Sequence, residues 1–223
     1  MKRIIHILVI IFSVQVNVMF SQDNLGRLML EVNILAARNS VGGLSYDRIE
    51  GSPHYSDGFV NGTVYLKDGN TASLPLRYDL FQDEIEFIRD HTTYWIIKKD
   101  VLYIQYGKEI LIPEPSSKDP GKSTYFFAQE KGKYRLYIRK KVSFYPEEPA
   151  QGYAEPVLNR FELEPEVYYL KQENMPAIEI RNKKALSEIL SENEPALNFI
   201  KKSKIKVTKA EDLVELVKFL NTQ

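Results

Sequence analysis

Short runs in which apolar and polar residues alternate dominate the chain from about residue 59 onward, and this pattern limits the folds open to it. Leu76, Tyr78 and Leu80, for example, alternate with Arg77 and Asp79. Because successive side chains of a β-strand point to opposite faces, the alternation predicts a strand with one apolar and one polar face. Similar runs up to about residue 112, separated by turn signals, predict an antiparallel meander of hairpins.

Residues 113–181 mix further strand patterns with irregular segments. Three prolines between residues 113 and 123 predict a surface loop, because proline cannot donate to a β-ladder. Strands are predicted at residues 125–129, 134–139 and 142–145, and a last hairpin is predicted around Asn174. Residues 146–165, rich in proline and acid, are predicted to be irregular.

After Arg181 the apolar residues recur with the period of a helix. Leu213, Leu216, Val217 and Leu220 have the spacing of an amphipathic helix, and residues 195–202 predict another. The sequence therefore predicts an α+β fold: mainly antiparallel β-sheet, built of meanders and hairpins, followed by a small C-terminal helical part.

The N-terminus has the three parts of a secretory signal peptide. Lys2 and Arg3 precede the apolar residues 4–12, and Ser21 is a small residue at a suitable cleavage point. A transmembrane anchor would need about 20 apolar residues, and polar residues from Ser13 onward interrupt this run too early. We expect residues 1–21 to be removed, which leaves a periplasmic or secreted protein without a transmembrane anchor.

The chain contains no cysteine, which excludes a disulfide framework and a lipid-modified cysteine. Export without cysteine fits the bacterial envelope better than eukaryotic secretion. We expect three parts after the signal peptide: a variable lead-in at residues 22–50 with a turn at Gly42-Gly43, a β-rich domain at residues 51–181, and a C-terminal helical subdomain at residues 182–223.

Charge gives no indication of nucleic-acid binding. Lys and Arg together number 30, and so do Asp and Glu. A protein that holds phosphate backbones generally carries a basic excess, and this chain has none.

Few residues offer catalytic chemistry. Apart from His6 in the predicted signal peptide, the histidines are His54 and His91, both beside turn-like residues. The serines near His54 lack the glycine-flanked nucleophile elbow of many hydrolases, so the pattern predicts a surface-loop histidine and no catalytic residue. Without thiolates or a pair of histidines at helical spacing, the sequence predicts neither a metal nor a cofactor.

The densest group of carboxylates offers a calcium site made of oxygen ligands as an alternative, at Asp79, Asp83, Glu84 and Glu86. Glu84 and Glu86 alternate with two apolar residues, so both are predicted on the solvent face of a strand. Glutamine should be tolerated at either position on such a face.

The 14 tyrosines and 11 phenylalanines fall mostly within predicted strands. Most are expected to form core and cross-strand contacts. Tyrosines that face outward are candidates for a platform that binds a sugar or a partner protein, and they are sought among Tyr103, Tyr106, Tyr125, Tyr134 and Tyr137.

Several patterns of the chain resemble a group of uncharacterised exported bacterial proteins. They are Gly51-Ser52-Pro53, Gly62-Thr63-Val64-Tyr65, Leu76-Arg77-Tyr78-Asp79, Asp83-Glu84-Ile85-Glu86-Phe87 and the segment from Lys204 to Val214. The resemblance covers roughly residues 51–223. It implies a shared fold and an exported protein, and it implies no catalytic residue.

Together these patterns predict a non-catalytic binding or structural module of the bacterial envelope, whose partner is an envelope protein or a glycan. The alternative from another class is a carboxylate-based hydrolase that acts on an envelope polysaccharide, because two acids several ångströms apart suffice to cleave a glycosidic bond.

Overall fold

The computed structural model describes residues 39–89, 91–117, 119–149 and 156–223. The predicted signal peptide and the lead-in up to residue 38 lie outside the described residues. The strands are β1 Ser40–Val41, β2 Leu44–Ser45, β3 Val60–Leu66, β4 Thr71–Asp79, β5 Glu84–Arg89, β6 Thr92–Trp95, β7 Val101–Tyr106, β8 Glu109–Ser116, β9 Asp119–Gln129, β10 Tyr134–Arg139, β11 Val142–Tyr145, β12 Arg160–Leu163, β13 Val167–Gln172 and β14 Ile178–Glu179. The helices are α1 Lys183–Ile189, α2 Glu194–Lys202 and α3 Ala210–Leu220.

Ten strands form one sheet in the order β14, β13, β10, β9, β8, β7, β3, β4, β5, β6, and all neighbours are antiparallel. Two further two-stranded sheets, β1 with β2 and β11 with β12, lie outside this sheet. The predicted α+β fold, an antiparallel sheet followed by C-terminal helices, is confirmed.

The register of the sheet explains the alternation in the sequence. Val64 of β3 lies opposite Ala72 of β4 and Ile104 of β7, and all three side chains are buried. Equivalent positions two residues apart point to the same face, so each strand contributes its apolar set to one core.

The sheet has an inner and an outer face. The inner face packs on the helices: Leu136 and Ile138 of β10 share one buried cluster with Leu216 and Val217 of α3. The outer face has a smaller core of its own, formed by Phe126, Tyr137, Tyr169 and Ala177. The helices therefore cover one face of the sheet and share its main core.

The first two helices, α1 and α2, begin where asparagine side chains satisfy backbone amides of the first turn. Asn182 Oδ1 accepts from the Ala185 N–H and Asn193 Oδ1 from the Ala196 N–H, each at 2.9 Å. Of the helices in the described parts of the chain, none is both long enough and apolar enough to cross a membrane.

Two predictions about irregular segments are wrong. Residues 113–123 are not a loop, because β8 and β9 pair through Pro113 opposite Tyr125 and Pro115 opposite Ser123. In this part β8 has a strand on one side only, since it pairs with β7 just from Glu109 to Leu111. On the side away from β9, this part of β8 has no strand to which a backbone N–H could donate. Proline, which lacks that N–H, is therefore tolerated there. The segment predicted to be irregular up to residue 165 also contains β12, which pairs with β11.

Candidate functional site

A groove crosses the outer face of the sheet over β7, β8, β9 and β10. Its volume is about 800 Å³, and its lining consists of Tyr103, Gln105, Ile110, Ile112, Ala128, Glu130, Lys131 and Arg135. We call it the outer groove. Its volume lies within the usual range for small-ligand sites, roughly 300–1,000 Å³.

One wall of the outer groove is aromatic. Tyr103 of β7 lies directly opposite Tyr65 of β3, and their rings stack with centroids 4.2 Å apart and planes inclined by 17°. Tyr65 covers one face of the Tyr103 ring, so the opposite ring face is the one directed toward β8 and the groove. Ile110 and Ile112 of β8, with Ala128 of β9, form an apolar floor beside this wall.

The facing wall is polar and belongs to the β9–β10 turn and the start of β10. Arg135 and Lys131 contribute positive charge, and Glu130 contributes a carboxylate. Glu130 adopts a positive φ of 65° and its carboxylate lies 3.5 Å from Lys218 of α3, which ties the turn to the last helix. The outer groove thus combines an aromatic wall, an apolar floor and a charged rim.

The structure separates the five tyrosines that the sequence singled out. Tyr103 lines the outer groove, and Tyr134 lies half-buried against the main core. Tyr106, Tyr125 and Tyr137 are 3%, 0% and 0% exposed, so they are core residues and cannot form a surface platform. Tyr106 and Tyr125 point to the inner face, whereas Tyr137 points outward and is covered by Phe126 and Tyr169.

A second group of polar side chains lies at the far end of β4, where residues 53–55 continue the sheet. Tyr55 N donates to Tyr78 O at 2.9 Å and Leu80 N donates to Pro53 O at 2.8 Å, so residues 53–55 run along β4. This pairing puts His54 opposite Asp79 on the outer face. We call His54, Arg77, Asp79, Glu86 and Tyr46 the polar cluster.

Each carboxylate of the polar cluster has fixed partners. Glu86 Oε2 accepts from Arg77 Nε and Nη2, both at 2.8 Å. Asp79 Oδ1 accepts the backbone N–H groups of Phe81 at 2.9 Å and Gln82 at 2.8 Å, which closes the turn after β4. Asp79 Oδ2 accepts from the Tyr46 hydroxyl at 3.2 Å.

Burial and charge act differently on the two acids. Burial raises the pKa of Asp79, and the neighbouring charge of Glu86 adds to this rise, although the amide of Gln82 and the charge of His54 oppose it. Burial alone would also raise the pKa of Glu86, but its contacts with His54 and Arg77 outweigh burial and lower it.

Two sequence-based predictions about this region are wrong. His54 is not a surface-loop residue, because only 11% of its side chain is exposed and its Nε2 lies 3.5 Å from Glu86 Oε2. Glu86 is not on a solvent face, because its side chain is fully buried. His54 and Tyr46 cover the outer face of the sheet here, and no local pattern of β5 reveals their contribution. His91, by contrast, is exposed in the turn between β5 and β6.

The four carboxylates considered for calcium belong to two separate groups. Asp79 and Glu86 belong to the polar cluster. Asp83 and Glu84 instead bind Lys98, whose Nζ lies 3.1 Å from Asp83 Oδ2 and 3.2 Å from Glu84 Oε1. Asp83 also accepts from the hydroxyls of Tyr78 at 2.6 Å and Thr124 at 2.7 Å, so this second group ties the β4–β5 turn to β9.

No family model, no curated protein and no solved structure matches the chain.

Proposed function

We propose that the protein is an exported, non-catalytic binding module of the bacterial envelope, and that its outer groove holds a segment of a glycan chain. The observation that carries this proposal is the composition of the groove. An aromatic wall and apolar floor face the charged side chains of Arg135, Glu130 and Lys131 across about 800 Å³.

Sugars are amphipathic, and the groove matches both of their surfaces. The C–H face of a pyranose packs against an aromatic ring, and the free face of Tyr103 offers such a surface. The hydroxyl groups of a sugar need hydrogen-bond partners when they leave water, and Arg135 and Glu130 supply donors and acceptors. A groove across strands, open at the surface, suits a segment of a longer chain.

The lining of the groove favours binding over hydrolysis. A glycosidase needs two carboxyl groups on either side of one bond. The groove lining includes one carboxylate, Glu130, which is already within 3.5 Å of Lys218. The buried pair Asp79 and Glu86 belongs to a different part of the sheet.

The test is binding to an array of bacterial envelope glycans, followed by calorimetry on any glycan that is retained. We expect Tyr103→Ala and Arg135→Ala to weaken binding at least about tenfold, since each removes one wall. Tyr103→Phe keeps the ring and should bind nearly as well. Tyr145→Ala, which changes a tyrosine of β11 outside the ten-stranded sheet, is the matched control.

Retention of full glycan binding by both Tyr103→Ala and Arg135→Ala would remove the outer groove as the site. Release of reducing ends from a bound glycan, lost in one Glu or Asp variant, would instead favour the hydrolase. Export is tested separately, by N-terminal sequencing of the protein recovered from bacterial envelope and culture medium. We expect the sequence to start at Gln22, after Ser21.

A further inference from the structure

The polar cluster contains buried polar atoms that the protein itself leaves without partners. Within the described residues, buried Glu86 Oε1 has no hydrogen-bond partner, and buried His54 Nε2 has none beyond its 3.5 Å approach to Glu86 Oε2. Native proteins rarely leave such atoms unsatisfied, because each costs about 1–3 kcal/mol. Two such atoms in one cluster are free to contact a bound ion or an ordered water.

The charges of the cluster point to the same conclusion. Asp79 and Glu86 are both buried, and Arg77 forms its ion pair with Glu86. The two buried carboxylates therefore have one guanidinium close by, and a bound cation would balance the second negative charge.

The donor atoms are close enough together for a metal. One ligand atom from each of His54, Asp79 and Glu86 can be chosen so that all lie within 4.8 Å of one another. Tetrahedral ligands bonded at about 2.1 Å are roughly 3.4 Å apart. His54 Nε2 already lies 3.5 Å from Glu86 Oε2, the carboxylate oxygen that Arg77 also binds. Ligand atoms 4.8 Å apart would have to approach each other by about 1.4 Å.

We propose that His54, Asp79 and Glu86 form a binding site for a divalent transition-metal ion, for which Zn²⁺ is the best match. One imidazole nitrogen and two carboxylate oxygens are a ligand set that zinc accepts, with a fourth position left to water. Calcium needs six to eight oxygen ligands, more than these two carboxylates provide.

The neighbours of the three ligands are arranged as supporting groups of a metal site. Arg77 orients the Glu86 carboxylate by donating to Glu86 Oε2, and Glu86 Oε1 keeps no partner. Tyr46 donates to Asp79, and Gln82 Nε2 donates to the Tyr46 hydroxyl at 3.1 Å. Hydrogen bonds of this kind fix ligand orientation, and losing them typically weakens metal affinity about 10–100-fold.

The experiment uses purified protein treated with a chelator and then titrated with Zn²⁺ by calorimetry and with Co²⁺ by absorption and fluorescence. Trp95 is the single tryptophan of the chain and lies opposite Glu86 on β6, so its emission reports on this site. We expect one Zn²⁺ per chain with a Kd of about 10 μM or lower. Bound Co²⁺ should quench Trp95 and develop visible d–d absorption.

His54→Gln removes one ligand at a position with 11% side-chain exposure, and we expect it to raise the Kd at least about tenfold. His91→Gln is the matched control, because it removes the exposed histidine of the β5–β6 turn and should bind like the wild type. Excess Zn²⁺ should raise the Tm of the wild type and of His91→Gln by about 5 °C, and that of His54→Gln by much less.

Far-UV circular dichroism of each variant establishes that it folds. Asp79→Asn gives a second variant, with the same expected loss, should His54→Gln fail to fold. The proposal is overturned by a wild type that binds no Zn²⁺ below about 100 μM. It is equally overturned by Zn²⁺ binding that is lost in His91→Gln and kept in His54→Gln, which would mean surface adsorption only.

Discussion

Arg77 and Glu86 lie directly opposite each other on β4 and β5, and Glu86 Oε2 accepts from both Nε and Nη2 of Arg77 at 2.8 Å. The Glu86 side chain is fully buried, whereas that of Arg77 is 18% exposed. A cross-strand ion pair is thus enclosed on the outer face of the sheet, beside His54.

Replacing Glu86 with Gln should destabilise the protein. The substitution leaves the Arg77 guanidinium without its anion, and breaking a buried pair in this way costs about 3 kcal/mol or more. Glu84→Gln is the matched control two residues away on the same face, since Glu84 is 27% exposed and Lys98 retains Asp83. Its cost should stay below about 1 kcal/mol.

Urea denaturation in the presence of a chelator measures both variants without any contribution from metal. Equal, small costs would mean that Glu86 is accessible to solvent. That result would restore the interpretation of the sequence, in which both glutamates share a solvent face.

Much of the sheet is predictable from the sequence because alternation is a local property. The strand pattern around Leu76 and Tyr78 needs no knowledge of the neighbouring chain. The effect of a proline does depend on the neighbouring chain. Pro113 and Pro115 predict a loop from the sequence alone, because the sequence does not tell which part of a strand lacks a partner on one side.

The polar cluster is less predictable because its members come from distant parts of the chain. His54 and Glu86 are 32 residues apart and meet only through the pairing of residues 53–55 with β4. One signal was present: in the predicted hairpin, a basic residue of one strand, Arg77, lies in register with an acid of the next, Glu86. For the outer groove, the sequence names Tyr103 among the candidate outward-facing tyrosines and no other lining residue, because the facing wall depends on the order of the strands.

Alkaline pH should unfold the protein through its buried tyrosines. Burial raises the pKa of Tyr78 and Tyr125 well above 10.0, and burial together with Glu166 raises the pKa of Tyr168 to about 12. In the unfolded chain, tyrosine side chains ionise near pH 10. The stability that the buried tyrosines contribute to the folded protein is therefore fully present below pH 10 and is lost as the pH rises through their folded-state pKa values.

Above pH 10, each of these buried tyrosines should lower the free energy of unfolding by about 1.4 kcal/mol per pH unit. Urea midpoints measured from pH 8 to pH 12, together with tyrosinate absorbance, check this slope. Tyr125→Phe should lower the slope at little cost at neutral pH, because the Tyr125 hydroxyl has no hydrogen-bond partner within the described residues. An unchanged slope would show that Tyr125 is not among the responsible groups.

Gly62 in the middle of β3 should not tolerate a side chain. A Cβ at this position would lie 2.6 Å from Gln105 O of β7 and 2.6 Å from Leu76 Cδ1 of β4. The added methyl group of Gly62→Ala must push β3 away from β7 and displace the Leu76 side chain. We expect this to lower the free energy of unfolding by about 1–3 kcal/mol. Gly121→Ala on β9, where a Cβ meets nothing within 4 Å, should leave the free energy of unfolding within about 0.5 kcal/mol. Similar urea midpoints for the two variants would contradict the close approach at Gly62.

Asn221 should be the main polar tie between the last helix and the sheet. Its Oδ1 accepts from Tyr134 N at 2.8 Å, and its Nδ2 donates to Tyr134 O at 2.8 Å, so one side chain replaces a strand partner at the start of β10. Asn221→Ala leaves both backbone groups of Tyr134 without these bonds and should cost about 2 kcal/mol. Thr222→Ala removes only a local bond to Phe219 O and should cost less than about 0.5 kcal/mol.

Hydrogen exchange gives the sharper readout, because Asn221→Ala should expose the Tyr134 amide while the amides within β3 and β4 stay protected. Uniform loss of protection across the sheet would instead mean that α3 and the sheet unfold as a single unit.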